Sequence, residues 1–253
     1  MKSYIDPEKS IAIIIYTLFL AGFPLIASAN LQTSGTTNLL VITGGHAYDT
    51  VAFEKMFTQY DNMDIDMISQ PGANKALTNG KFSRYDALVF YDMWQDITEN
   101  QKEAFVDLTR KGVGLVFLHH SLVSYQQWAE FEKIVGGRYL EKEYVEDPEK
   151  SSAYKHDIEM EVSVINNQHP VTKNMKDFTI VDEGYSNLRI LPSVETLLTT
   201  DHPHCARKVA WTNKYNNSRI VYLLFGHDHK AYQDKNYQRL LFNTIKWVTQ
   251  ESE

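Results

Sequence analysis

Along residues 39–135 the apolar positions switch between short unbroken runs and three-to-four-residue spacing. This is the pattern of buried strands alternating with helices packed on them. The first run, 39–43, enters the turn Gly44-Gly45-His46, and Val51, Phe53, Met56 and Phe57 then recur at helical spacing within 50–60. Residues 65–69 alternate as a second strand, and 87–91 form a third that ends in Asp92-Met93-Trp94. Thr98 and Gln101 have the spacing of a capping box. The helix they open buries Phe105 and Leu108 and is stopped by Gly112. A wholly apolar strand, 114–118, then delivers His119-His120-Ser121 at its carboxyl end. Residues 122–134 predict another helix, closed by Gly136-Gly137.

This β-α-β-α order predicts the α/β class: a mostly parallel sheet with helices on both faces. Right-handed crossovers align the carboxyl ends of the strands along one rim, where such sheets bind ligands. The pattern changes after residue 137. Residues 138–155 are charged and aperiodic, and read as a surface insertion near the mouth of the site. Residues 158–164 alternate as a strand, His169-Pro170-Val171-Thr172 marks a turn, and short strands follow at 179–182, 196–199, 209–211 and 220–225. The sheet therefore gains an antiparallel extension. A last helix carries Tyr237, Leu240, Leu241, Thr244, Ile245 and Val248 on one stripe.

Residues 1–29 read as an export signal. Lys2 and Lys9 precede an apolar run over 11–27, and Ala27-Ser28-Ala29 gives a small-x-small cleavage pattern before Asn30. The run falls short of the ~20 residues that span a bilayer comfortably. A cleaved signal is the expectation, with membrane contact only through an uncleaved one. The mature part, 30–253, is then a single domain in the periplasm or outside the cell. Hydrophobic residues make up 43% and charged residues 23% of the 253, enough for one sizeable core. The net charge is −7 and no basic stripe is interleaved with aromatics, which excludes nucleic acid as a partner and points to a small molecule. Cys205 is the sole cysteine, so neither an internal disulfide nor a cysteine zinc cluster can form.

Three strand ends carry histidine: His46, His119-His120, and Phe225-Gly226-His227-Asp228-His229. Their convergence predicts one shared site. His119 and His120, adjacent on an extended backbone, are expected to point to opposite sides, so that one of them faces a given pocket. Asp228 is placed to orient an imidazole, as carboxylates do behind metal-bound histidines. Asp182-Glu183-Gly184-Tyr185 supplies the best acidic candidate, as a metal ligand or general base, or else a charged turn; Tyr185 can hold a hydroxyl or give a proton. A serine-hydrolase elbow, G-x-S-x-G, is absent: Leu122 follows Ser121.

Together these segments resemble the trehalose-utilisation (ThuA-like) family, a branch of the class I glutamine amidotransferase-like fold. The matching pieces are Gly44-Gly45-His46, the strand ending at His119, His169-Pro170-Val171-Thr172, Asp182-Glu183-Gly184-Tyr185, Val209-Ala210-Trp211 and the strand leading to Gly226-His227-Asp228. The resemblance implies a flavodoxin-like three-layer sandwich. Amidotransferases of this fold carry cysteine at the elbow where this chain has His119, so a glutaminase route lacks its nucleophile. The family's link to disaccharide breakdown, including sugars oxidised to 3-keto forms, implies a carbohydrate-processing enzyme, a lyase or hydrolase acting on glycosides or disaccharides by metal-assisted elimination or hydrolysis. A non-catalytic sugar-binding protein is the alternative. The implied catalytic set is Glu183, His119 and Tyr185, with Glu183 or His119 as base. His46, Asp182, His120 and Trp94 are assigned to substrate. A divalent metal, zinc or similar, is assigned to His46, His119, Glu183 and His227.

Overall fold

A computed structural model describes residues 36–249; the export signal assigned to 1–29 lies outside the described residues. The strands are β1 (Thr37–Gly44), β2 (Met63–Ser69), β3 (Ala87–Asp92), β4 (Gly114–Leu118), β5 (Gly137–Arg138), β6 (Ala153–Val164), β7 (Phe178–Ser186), β8 (Arg189–Ile190), β9 (Glu195–Thr200), β10 (Lys208–Tyr215) and β11 (Ser218–Leu223). The helices are α1 (Thr50–Thr58), α2 (Gly72–Leu77), α3 (Glu99–Arg110), α4 (Ala129–Val135), α5 (His229–Gln233) and α6 (Lys235–Val248). Among the described residues no helix is long and apolar enough to cross a membrane.

One sheet runs in the order β2-β1-β3-β4-β11-β10-β9-β6-β7, with β5 and β8 paired separately. The strands from β2 to β11 pair in parallel, and those from β10 to β7 form the antiparallel extension. This is the α/β class expected. β3 and β4 are buried along their whole length, which their continuous apolar sequences require. The predicted stripe of α6 is buried to the last residue, from Tyr237 to Val248. Each buried leucine or isoleucine there contributes roughly 1.5–3 kcal/mol. The Gln101 side chain accepts from the Thr98 N–H at 3.0 Å, closing the expected cap of α3.

Two local expectations fail, and one open alternative is excluded. Residues 122–134 do not form one helix: a 3-10 turn spans His119–Val123 and α4 begins only at Ala129. Tyr125 breaks the path at φ +55°, where its N–H reaches the Gln95 carbonyl and its hydroxyl reaches Asn74. Its apolar spacing reflects burial without helix. β6 starts at Ala153 rather than 158, because residues 153–155 pair with 184–186 of β7. β7 runs on through Ser186, so Asp182-Glu183-Gly184-Tyr185 lies inside a strand and is not a turn.

Candidate functional site

The β4 backbone leaves its extended path at His119, whose φ is +49°. A non-glycine residue in the left-handed region is uncommon and marks a sharp turn. The Tyr222 hydroxyl donates to the His119 carbonyl at 2.9 Å and holds that turn. His119 and His120 therefore do not diverge across a strand. Their rings lie 5.3 Å apart and both are buried. His120 donates from Nδ1 to the Asp92 carbonyl at 3.3 Å, and its ring sits 5.1 Å from His46. Burial, then the nearby His119 and His46, hold His120 well below the usual histidine range.

β1 delivers His46 through Gly44 and Gly45, at φ +119° and +86°. A Cβ on Gly45 would run into the Met93 carbonyl, so only glycine lets the first strand end lie against the third. Burial, followed by His227 and His119, lowers the His46 pKa and keeps its imidazole neutral at pH 7. His227 follows β11 and is fixed by Asp182. That carboxylate accepts from the N–H groups of Gly226 at 2.7 Å, His227 at 3.0 Å and Glu183 at 2.8 Å. Asp182 thus welds the edge strand β7 to the end of β11, and it lies away from the cavity wall. Asp228 caps α5, accepting from the Lys230 N–H at 2.8 Å, instead of orienting an imidazole.

His119, Glu183 and His227 come together so that one ligand atom from each lies within 4.8 Å of the others. His119 donates from Nδ1 to the Leu224 carbonyl at 2.6 Å. A carbonyl can only accept, so Nδ1 carries a proton, and in the neutral tautomer that this selects, Nε2 presents a lone pair. That Nε2 lies 3.0 Å from Glu183 Oε2, 3.3 Å from His227 Nδ1 and 2.9 Å from the Tyr185 hydroxyl. Two acceptors at that distance are relieved by a proton or a cation between them, with the Tyr185 hydroxyl then donating to Glu183 instead of to Nε2. Backbone-held histidine beside a carboxylate is also how proteins prepare metal ligands. Burial opposes ionisation of Glu183, but the neighbouring His119 and His227 outweigh it and hold the acid well below the ordinary carboxylate range. The bond to Glu183 raises His227 against its own burial. Burial raises the Tyr185 hydroxyl well above its ordinary value, so it stays protonated.

A cavity of about 230 Å³ opens over this cluster, lined by His46, Trp94, His156, Glu183 and Tyr185 together with Met93, Val123, Tyr139, Glu141 and Tyr154. Trp94, at φ +54° and 60% exposed, is held at the mouth by its indole N–H, which donates to Glu141 Oε1 at 2.8 Å. His119, His120, Asp182 and His227 sit behind the wall. His46 is on the wall but outside the three-residue cluster, its ring 5.8 Å from that of His227. A larger crevice, about 630 Å³, lies at the opposite rim beside Lys111, Gly112 and Arg219, and holds no histidine. His169 packs on Trp247, and burial pushes the Cys205 thiol up to about 12.

His156 escapes the sequence reading. It follows directly on the segment read as an insertion, and nothing in its neighbourhood repeats the strand-end pattern of the other histidines. Its Nδ1 lies 2.9 Å from Glu183 Oε1, and its ring lies 4.7 Å from that of His227. The sole hint is an imidazole between a charged segment and the alternation that begins at 158.

The ThuA family model, described as trehalose utilisation, matches residues 38–248. No curated protein matches the chain. A solved structure from Parabacteroides merdae, described as ThuA-like, superposes with a TM-score of 0.72 at 20% identity, covering 84% of this chain and 90% of its own. A second ThuA-like protein, from Bacteroides uniformis, gives 0.68 at 23% identity, with coverage of 90% and 95%. A cytoplasmic protein of Salmonella typhimurium gives 0.59 at 12% identity, with coverage of 84% and 99%. At these identities the likeness is one of fold.

Proposed function

The chain belongs to the ThuA family, and from that premise we propose that it processes glycosides or disaccharides, including 3-keto forms, by elimination or hydrolysis. The observation that carries the reading is the His119 Nε2 lone pair turned on the Glu183 carboxylate beside His227. His119, Glu183 and His227 are the residues that would hold a divalent ion, zinc or similar. Such an ion, when bound, supplies a positive centre that polarises a substrate oxygen.

The surroundings divide the remaining work. The contacts that make Glu183 a firm anion also make it a weak base, since a good general base has a pKa near the working pH. His46 is neutral and lines the cavity, so it takes the proton. On a 3-keto-glycoside that proton leaves C2, the electron pair forms the C1–C2 double bond, and the C1–O bond breaks. The departing oxygen takes a proton from the His46 imidazolium, which returns to its neutral form. In hydrolysis the same imidazole takes a proton from water as the water oxygen bonds to C1, the C1–O bond breaks, and the departing oxygen receives that proton from the imidazolium. The Tyr185 ring stacks on the His119 ring with centroids 4.8 Å apart, and Trp94 offers an aromatic face at the mouth for a sugar ring.

A turnover screen over oxidised and unoxidised disaccharides, with divalent metal added, tests this reading. Wild type should cleave at least one of them, and Glu183→Ala and His227→Ala should each lose that activity while keeping the fold by circular dichroism. A wild-type protein that binds sugars but turns over none would make it a sugar-binding module.

A further inference from the structure

We infer that His156 is a positioning residue for the cation site: it holds one oxygen of Glu183 so that the other is left for the ion. This rests on the reading of His119, Glu183 and His227 as cation ligands. The two carboxylate oxygens have separate partners. Oε2 lies 3.0 Å from His119 Nε2 and 3.4 Å from His227 Nδ1, whereas Oε1 lies 2.9 Å from His156 Nδ1. A carboxylate oxygen can only accept, so His156 donates. The donation fixes the rotation of the carboxylate and favours one-oxygen ligation through Oε2. Ligating carboxylates are themselves held by hydrogen bonds from outer partners.

The backbone is shaped for this contact. Lys155 pairs with Gly184 and Ile158 with Asp182, so β6 spends one more residue than β7 across this interval. That is a β-bulge, a device that re-aims a side chain and is over-represented beside active sites. The bulge contains His156 and Asp157, opposite Glu183. Asp157 sits at φ +53° and pairs with Lys230 of α5 at 2.5 Å. This ties the bulge to the helix that begins just after His227. His156 is 53% exposed and lines the cavity, so it reaches the buried acid from the substrate side. Its second nitrogen, Nε2, is left free of that bond.

Titration of the full protein with cobalt(II) and zinc(II) tests the inference, with affinity and the visible cobalt spectrum as readouts. His156→Ala should weaken binding about 10–100-fold and alter the cobalt bands. His156→Asn, which puts an amide N–H near the position of Nδ1, should restore most of the affinity. Equal affinity and an unchanged spectrum in wild type and His156→Ala would overturn the inference alone. A wild-type protein that binds neither ion would overturn it together with the cation reading.

Discussion

At His46 and Asp92 the same loss of solvent acts on groups of opposite charge. For His46 burial disfavours the cation, leaving a neutral imidazole on the cavity wall. His46→Gln removes the proton acceptor but none of the proposed ligands. It should lower kcat by about 10²–10⁴-fold, with cation affinity held within a few-fold of wild type; parallel loss of both would return His46 to the ligand set. Asp92 is buried at the end of β3 with Gln70 donating to it at 2.8 Å, and burial lifts its carboxyl to about 7 against that bond. Its folded value lies above the unfolded one. The stability it contributes is therefore complete below about pH 4 and is lost as pH rises through 7. Asp92→Asn should be more stable than wild type above pH 7, by up to about 4 kcal/mol, and the two should converge toward pH 4. Melting temperatures across that range would show it, and parallel curves would contradict it.

Among the elements, the strand ends decide whether the site exists. β1 and β3 touch through Gly45, where both the positive φ and the Met93 carbonyl exclude a side chain. Gly45→Ala should cost about 2–4 kcal/mol, from strain and overpacking together, and should displace His46. Denaturant unfolding measures it, and an unchanged midpoint would remove the argument for that contact. The inner strands, the caps of α3 and the stripe of α6 were legible in sequence because each is set by local periodicity. The three histidine-bearing strand ends were legible for the same reason, whereas the Asp182-to-Tyr185 segment stood out only by its acids and hydroxyl, and its place inside β7 was not legible. What escaped was non-local. The left-handed turn at His119 is held by Tyr222, more than a hundred residues away. The bulge that aims His156 is set by β7 and by Lys230. The run from 122 to 134 had helical spacing, but its apolar residues are buried by neighbours that no window of sequence contains.

Across the whole molecule, the parallel half of the sheet supplies the rim, and the antiparallel half returns Glu183 and Tyr185 to it. β7 is the outermost strand in pairing order, yet Asp182 is bonded to the backbone of Gly226 and His227. A site assembled this way places its carboxylate on one half and its two ligating imidazoles, His119 and His227, on the other, so a cation shared by the two would also brace them. The direct measurement is turnover of a 3-keto-glycoside by protein stripped with chelator and then given zinc(II) back. Activity should vanish on stripping and return in proportion to bound metal, reaching its limit near one ion per chain. Full activity in the metal-free protein, or none in the metal-replete one on any oxidised or unoxidised disaccharide, would contradict the account.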